Sequence, residues 1–414
     1  MKILHTSDWH LGRNLYGRSR FLEFEAFLDW LSGLIVSQGI DALIVAGDIF
    51  DTTTPANSTQ KLYYGFLERL FRSSCRHVVV TGGNHDSPTF LDAPRDLLLS
   101  FNVHVLGAAT GKPEVEVLVL KDTQGNPEAI VCAVPYLRDR DIRTVEPGES
   151  MEDKNRKLVE GVARHYAEVT RIAEEHRKNI GVGIPVIATG HLFAAGGTTV
   201  DGDGVREIYV GSLARIGASA FPEAIDYVAL GHLHVAQKVG GAEHRRYSGS
   251  PIPMGFGESG QRKLVLQVEF DGRIPRITEI PVPCFQPLER FAGTLDELTA
   301  SILALRASGS SAWLEIEYRG DEPASAVQQA LEEAVEGSFL EIRRIRSKRT
   351  VHEALGQRSE EETLEQLDPE AVFMRCLDAR GTDGSLQPTL IDCYREVLRS
   401  IDEEDVMSEA GEAG

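Results

Sequence analysis

The sequence predicts an α/β protein in which two β-rich layers are each backed by helices, a four-layer sandwich. Three observations predict it. The first part of the chain alternates short apolar runs with stretches of helical spacing, the order of a parallel-rich sheet. Residues 184 to 282 are instead strand-rich, with runs at 184–189, 207–210, 226–230, 245–248, 263–270 and 275–282. Several runs also end in Asp, Asn or His, usually just after Gly, and α/β folds bind ligands at the carboxyl ends of strands.

The elements follow in order. Met1-Lys-Ile-Leu-His-Thr-Ser-Asp8-Trp-His10 reads as a short strand that ends in a carboxylate and an imidazole. A loop with two glycines, 11–18, leads into a helix from Arg20 to Gln38. Phe24, Phe27, Leu28, Leu31, Leu34 and Ile35 fall at helical spacing there, and Gly39 stands where a C-cap belongs. Strand 42–46, a Thr/Pro loop and a helix from Asn57 to Arg72 come next. Strands at 103–106, 115–120 and 129–136 precede a charged helix from Met151 to Arg177. Pro281, Pro283 and Pro287 then break the chain, which bounds a first domain at 1–282. A small α+β unit at 283–350 has helix 294–306, strand 312–318, helix 323–335 and strand 339–345. Residues 351–400 read as a polar linker with amphipathic helices near 369–379 and 388–400, and 401–414 as an acidic tail.

Composition limits what the chain can do. With 414 residues, 42% hydrophobic and 26% charged, it has the balance of a soluble protein large enough for two or three domains. No apolar run approaches the ~20 residues of a membrane helix, and the N-terminus does not read as a signal peptide. Five scattered cysteines without a CxxC pair argue against a disulfide framework and for a reducing cytoplasm. The net charge of −20 speaks against nucleic-acid binding, although bound divalent cations offset part of it and acidic residues collect near the C-terminus.

The chemistry lies in five tips: Asp8-x-His10, Gly47-Asp48, Gly83-Asn84-His85-Asp86, Gly190-His191 and Gly231-His232-x-His234. Any one alone is compatible with an ordinary turn. Together they supply carboxylate, amide oxygen and imidazole, the ligand set of Mn²⁺, Fe²⁺ or Zn²⁺, while the lack of thiolate argues against a structural zinc site. In a two-metal site one carboxylate bridges cations ~3.5–4 Å apart. Asp48, alone after its strand, is the candidate bridge.

These motifs, in this order, resemble the signature of the calcineurin-like metallophosphoesterases: D-x-H, G-D, G-N-H-[DE], a single His and G-H-x-H. Within that superfamily, five stretches look like those of the bacterial nuclease subunits that pair with the SMC-like ATPase SbcC. They are His5-Thr-Ser-Asp-Trp-His-Leu-Gly12, Val45-Ala-Gly-Asp-Ile-Phe-Asp51, Ala188-Thr-Gly-His-Leu192, Ala229-Leu-Gly-His-Leu-His234 and Tyr247-Ser-Gly-Ser-Pro-Ile-Pro253. Beyond residue 282 the likeness is one of layout. The resemblance implies a nuclease, a double-strand exonuclease and single-strand or hairpin endonuclease, using two Mn²⁺ with Mg²⁺, Fe²⁺ or Zn²⁺ as substitutes. It implies Asp8, His10, Asp48 and His234 on one metal, Asp48, Asn84, His191 and His232 on the other, and His85 as the non-ligand histidine that protonates the leaving oxygen or steadies the transferring phosphate. It also implies a homodimer, docking of 351–400 on an SbcC-type ATPase in a heterotetramer of two and two, DNA as substrate, and a cytoplasmic, nucleoid-associated place with no membrane.

Other residues admit two readings. Arg13, Arg18 and Arg20 grip a DNA backbone or form a solvated face. The cluster Arg343, Arg344, Arg346, Lys348 and Arg349 contacts DNA, as the resemblance suggests for the 283–350 unit, or ends a strand in solvent. Ser248-Gly-Ser250 binds a phosphate through its N–H groups or is a plain turn. His5 reads as a core or supporting histidine, His165 as a surface one, Asp86 as the group that orients His85, and Asp51 as a hydrogen-bonding partner. The competing functions are a stand-alone phosphodiesterase or phosphatase acting on small molecules or phosphoproteins, and a non-catalytic scaffold.

Overall fold

A computed structural model describes residues 1–144, 149–194 and 216–347, with scattered positions between 373 and 395. The strand expected at 207–210, Lys348, Arg349, the acidic tail and most of 351–400 lie outside the described residues. The elements are β1 (Lys2–Thr6), a small hairpin of β2 (Asn14–Leu15) and β3 (Arg18–Ser19), α1 (Phe21–Gln38), β4 (Ala42–Ala46), α2 (Asn57–Phe71) and β5 (His77–Thr81). Then come α3 (Pro88–Asp92), α4 (Arg95–Leu99), β6 (Val103–Leu106), β7 (Val117–Lys121), β8 (Pro127–Cys132), α5 (Asp139–Ile142), α6 (Met151–Ile180) and β9 (Val186–His191). β10 (Tyr227–Gly231), β11 (Gln237–Val239), β12 (Ala242–Tyr247), β13 (Leu264–Asp271) and β14 (Ile274–Pro281) complete the strand-rich part. The last described elements are β15 (Leu288–Gly293), α7 (Leu295–Ala307), β16 (Trp313–Tyr318), α8 (Ala324–Val335) and β17 (Glu341–Ser347). The hairpin, α3 to α5 and β11 have no counterpart in the periodicity, because such short pieces complete too few repeats to show one.

Two six-stranded sheets form the first unit, Met1–Leu288, in the orders β14-β13-β1-β4-β5-β6 and β11-β12-β10-β9-β8-β7. Strands β1, β4, β5 and β6 run parallel, as do β12, β10, β9 and β8. Side chains alternate across a strand, and the cores follow that alternation. Leu4, Leu43, Val45, Val78 and Val80 pack with Phe24, Phe27, Leu31 and Phe66 of α1 and α2. Their neighbours Ile3, Ile44 and Val79 meet Val131, Ile187 and Ala229 between the sheets. On the far side Ile130, Val186 and Val228 pack with Leu158, Val162, Tyr166 and Val169 of α6. The result is the four-layer α/β sandwich, helix, sheet, sheet, helix.

The second unit begins at Glu289. Its sheet has the order β15-β16-β17, with β16 and β17 parallel. One face closes over α7 and α8 through Leu298, Ile302, Leu314, Ile316, Tyr318, Val327 and Leu331. Glu315 and Glu317 point to the other face, where Arg290 and Arg344 hold Glu315 at 3.0 and 3.5 Å. Phe373 stacks on Tyr394 with ring centroids 4.1 Å apart, so two turns of the C-terminal segment pack on each other.

One buried hydrogen bond ties α6 to the strand that carries His191. The Tyr166 hydroxyl donates to the Thr189 carbonyl at 2.8 Å, and both residues are fully buried. Tyr166→Phe leaves that carbonyl without a partner and is expected to cost about 1–3 kcal/mol. Urea unfolding would show this as a lower midpoint at unchanged slope.

Candidate metal centre

The strand ends of the two sheets meet at one seam. β1 delivers Asp8 and His10, β4 delivers Asp48, β5 delivers Asn84 and His85, β9 ends in His191, and β10 delivers His232 and His234. The tips turn sharply. Asp8, His10, Asp48 and His232 hold φ of 52°, 46°, 51° and 99°, the left-handed region that residues with a Cβ avoid at a cost of about 1–3 kcal/mol each. The neighbouring backbone holds them there: Asp8 N–H donates to Gly47 O, His10 N–H to Asp48 O, and Leu11 N–H to Ile49 O, at 2.9 to 3.0 Å. Glycine is required where tips touch. A Cβ on Gly231 would sit 1.9 Å from Ala46 O, on Gly47 2.1 Å from His191 Nδ1, and on Gly83 2.1 Å from Asp48 Oδ1.

Asp48 stands in the middle. Its Oδ2 lies 3.2 Å from His191 Nε2 and 3.6 Å from His10 Nε2, and its Oδ1 accepts the His85 N–H at 2.9 Å. His191 Nε2 is also 3.0 Å from Asn84 Oδ1. His10 and His234 bring their Nε2 atoms to 3.2 Å. Asp8 accepts the His232 N–H and the Ser7 hydroxyl, and the His232 ring lies 5.3 Å from that of His191. Donor atoms of Asp8, His10 and His234, and of Asp8, Asp48 and His191, each gather within 4.8 Å. All but the half-buried Asn84 are buried.

Four of the imidazoles are braced from behind. His191 Nδ1 lies 3.0 Å from the Ala46 carbonyl and His85 Nδ1 3.0 Å from the Asp51 carbonyl. A carbonyl only accepts, so Nδ1 carries the proton and Nε2 faces the pocket. His234 Nδ1 meets Glu258 Oε1 at 3.1 Å, and His10 Nδ1 faces Asp51 Oδ1 at 3.4 Å. Two Nε2 atoms thus point at each other beside a carboxylate. Such an arrangement calls for a positive charge between them, a proton or a metal, so the residues fit divalent cations.

The electrostatics are those of crowded, dry groups. Burial lowers His191, but Asp48 beside it prevails and lifts it to about 9. Burial raises the Asp48 carboxyl, yet His191 and His10 outweigh it and hold it well below the usual range. Burial lowers His10 to about 4 and holds His232 well down, while it raises Asp8.

Residues 1–236 match the calcineurin-like phosphoesterase family, and residues 284–380 match the Type 5 capsule protein repressor C-terminal domain. The D subunit of the nuclease SbcCD from Escherichia coli (strain K12) is 38% identical over 408 residues, spanning 97% of this chain and 98% of that protein. Its counterpart from Rhodobacter capsulatus is 35% identical, over 83% of this chain and 86% of that protein. The one from Bacillus subtilis is 30% identical, over 98% and 100%. The chain belongs to the SbcD family of calcineurin-like phosphoesterases. Membership brings divalent-metal binding with it, in accord with the grouped Asp and His donors.

Some expectations need correction. Arg20 is fully buried, paired with Glu23 at 2.7 Å and donating to Pro253 O at 2.6 Å, so it cannot grip DNA. Arg13 is occupied by Asp51 and by the Met254 carbonyl, at 3.0 and 3.2 Å. Arg18 is exposed on β3. Asp86 does not orient His85. It accepts the N–H groups of Ile49, Phe50 and Gly83, and so clamps the β4 and β5 tips together. His165 is half-buried, 2.7 Å from the buried Glu116, because α6 lays it against the start of β7. His5, by contrast, is the core histidine expected of it, fully buried against the Tyr227 hydroxyl at 2.9 Å. Ser248 and Ser250 bond Ser7 and Glu258 through their side chains. Sequence reading missed Glu258, since Gly-Phe-Gly-Glu matches no motif and its partner His234 lies 24 residues away.

The raised His191 sets a testable pH dependence. A group whose folded pKa exceeds its unfolded one stabilises the fold at low pH and loses that contribution as pH rises through the folded value. Chelator-treated protein should therefore lose stability between pH 6.5 and 9. Asp86, raised by burial to about 7, adds to the acid end of the same slope. Thermal unfolding across that range should show the decline, and Asp48→Asn, which removes the charge that lifts His191, should flatten it.

Proposed function

We propose that this chain is the metal-dependent nuclease subunit of a two-component DNA-processing machine, hydrolysing phosphodiesters at double-strand ends and hairpins. The observation that carries the reading is Asp48 flanked by His10 and His191 where both sheets end. In this reading Asp8, His10, Asp48 and His234 hold one cation, and Asp48, Asn84, His191 and His232 the other. Mn²⁺ suits a mixed carboxylate, amide and imidazole set, and Mg²⁺, Fe²⁺ or Zn²⁺ are its competitors. Two such cations supply an acidified water and neutralise charge on the phosphate.

The chain's own groups do the rest. His85 packs its ring edge-on against His10, centroids 4.7 Å apart, and Asp51 O fixes its Nδ1 proton. Nε2 is the nitrogen left facing the site, and the imidazolium form, protonated on both nitrogens, gives its Nε2 proton to the leaving oxygen and returns to the neutral Nδ1–H ring. The neutral Asn84 adds an oxygen without adding charge, leaving room for an anionic phosphate. A stand-alone phosphodiesterase is the weaker reading, because the likeness to the SbcD proteins runs through almost the whole chain.

DNA contact is assigned to the open face of the second unit's sheet. Arg343 lies over the Trp313 ring at 6.0 Å, and Arg344 and Arg290 flank Glu315. Arg290, Arg343 and Arg344 there balance Glu315, Glu317 and Glu341, so a chain of net charge −20 has a face without its overall excess of negative charge. Of Arg13 and Arg18, Arg18 is the assigned contact, since it stands exposed on β3. The partner reading follows the relatives: an SbcC-type ATPase, two copies of each chain in a heterotetramer, docked on the C-terminal segment, where Met374 and Leu390 are exposed. A homodimer contact is assigned to the exposed Phe71 at the end of α2, Leu97 within α4 and Phe101 just past it, where the Phe71 and Phe101 rings lie 4.7 Å apart. Among the described residues no helix is long and apolar enough to cross a membrane.

Two outcomes test this. His85→Gln should lower cleavage of linear duplex and hairpin DNA by about 10²–10⁴-fold while calorimetry still finds two Mn²⁺ bound; full activity would remove His85 from the mechanism. Arg344→Gln should weaken duplex binding and lower its salt slope by about one. An unchanged slope would move the DNA elsewhere.

A further inference from the structure

Behind His234 lies a buried charge pair that the ligand set does not include. Glu258 closes a short 3₁₀ turn, Phe256–Glu258, and is fully buried. Its Oε1 lies 3.1 Å from His234 Nδ1. Its Oε2 accepts from Met254 N–H at 3.1 Å, from the Ser250 hydroxyl at 3.2 Å, and from Lys263 Nζ in a close ion pair. Lys263 is itself buried, and its ammonium reaches the His234 carbonyl at 3.0 Å and the Ser250 hydroxyl at 3.0 Å. The Ser250 N–H donates to the same carbonyl at 3.2 Å. His234 is thus held at both ends, the ring by Glu258 and the backbone by Lys263. The braces differ among the imidazoles. His191 leans on a backbone carbonyl, and His10 on Asp51, whose side chain is 23% exposed. Only at His234, among these three, does a fully buried carboxylate do this, and a lone buried carboxylate is costly without a counter-charge.

We propose that Glu258 is a positioning residue for His234, with Lys263 as its built-in counter-charge. The carboxylate keeps the proton on Nδ1, so the Nε2 lone pair is offered to a cation. Lys263 cancels the carboxylate's charge, so the pair steers the ring without adding net charge to the site. This rests on the two-cation reading above.

An amide at position 258 tests the idea, because it has one accepting end and one donating end. With its oxygen toward Lys263, its NH₂ faces His234 Nδ1, which must then accept; the ring proton moves to Nε2 and blocks it. With its oxygen toward His234, its NH₂ opposes the ammonium. Replacing Lys263 by Met removes that conflict. The full-length chain, stripped with chelator, is titrated with Mn²⁺ by calorimetry. Glu258→Gln is expected to bind one of two Mn²⁺ about 10–100-fold more weakly. Glu258→Gln/Lys263→Met is expected to regain that affinity, whereas Glu258→Leu/Lys263→Met, which offers Nδ1 no acceptor, is not. The two double variants carry no buried charge at these positions, so their comparison stands even where the single variant does not fold. Equal Mn²⁺ binding by both doubles would overturn the proposal, as would equal weakening at both cation sites. A wild-type chain that binds no Mn²⁺ would instead remove the two-cation reading itself.

Discussion

Asp48 is an ionised carboxylate, 2% exposed, at the seam of two sheets. Burying such a charge alone costs several kcal/mol, and the penalty is relieved only by close partners of opposite sign and by hydrogen bonds. Its surroundings supply both: the raised His191 at 3.2 Å, His10 at 3.6 Å and the His85 N–H at 2.9 Å. Each of those partners in turn needs a support behind it. The Ala46 and Asp51 carbonyls, the Asp51 carboxylate and the strained tips are the structural consequences of keeping one acid dry.

The strain is concentrated where the chemistry is. Four residues with side chains occupy left-handed backbone at the seam, and all four carry carboxylate or imidazole groups aimed at the pocket. A fold bears such a cost only if its frame is over-determined. Here the frame is two six-stranded sheets with apolar cores on both faces, plus Asp86, which gathers three N–H groups from two tips. The reward is preorganisation. Ligand side chains already stand close to one another, so little rearrangement is needed when a cation enters.

Net charge and local charge diverge in this molecule. The acidic total of −20 describes solubility and long-range repulsion, whereas recognition depends on what a particular face presents. The second unit's sheet sorts its residues by parity. Leu314, Ile316 and Tyr318 turn to α7 and α8, and the alternate positions hold Glu315 and Glu317 among arginines from β15 and β17.

Local pattern was enough for much of this. Helical spacing located α1, α2 and α6 to within a few residues, and the runs Ala42–Ala46 and His77–Val80 announced their strands. The residues at the seam were legible because each strand run simply continues into its Asp, Asn or His, and because the order of motifs resembles a family. Tertiary structure alone decided the rest. Arg20 looked like a surface cation and is buried on Glu23; Asp86 looked like a partner of its neighbour His85 and clamps Ile49 and Phe50 instead. His10 meets His234 across 224 residues of chain, and Glu258 meets it across 24. Periodicity encodes which face of an element is apolar, so it reaches only as far as the element. Which buried acid ends beside which imidazole depends on how two sheets stack, and nothing in the local sequence carries that distance.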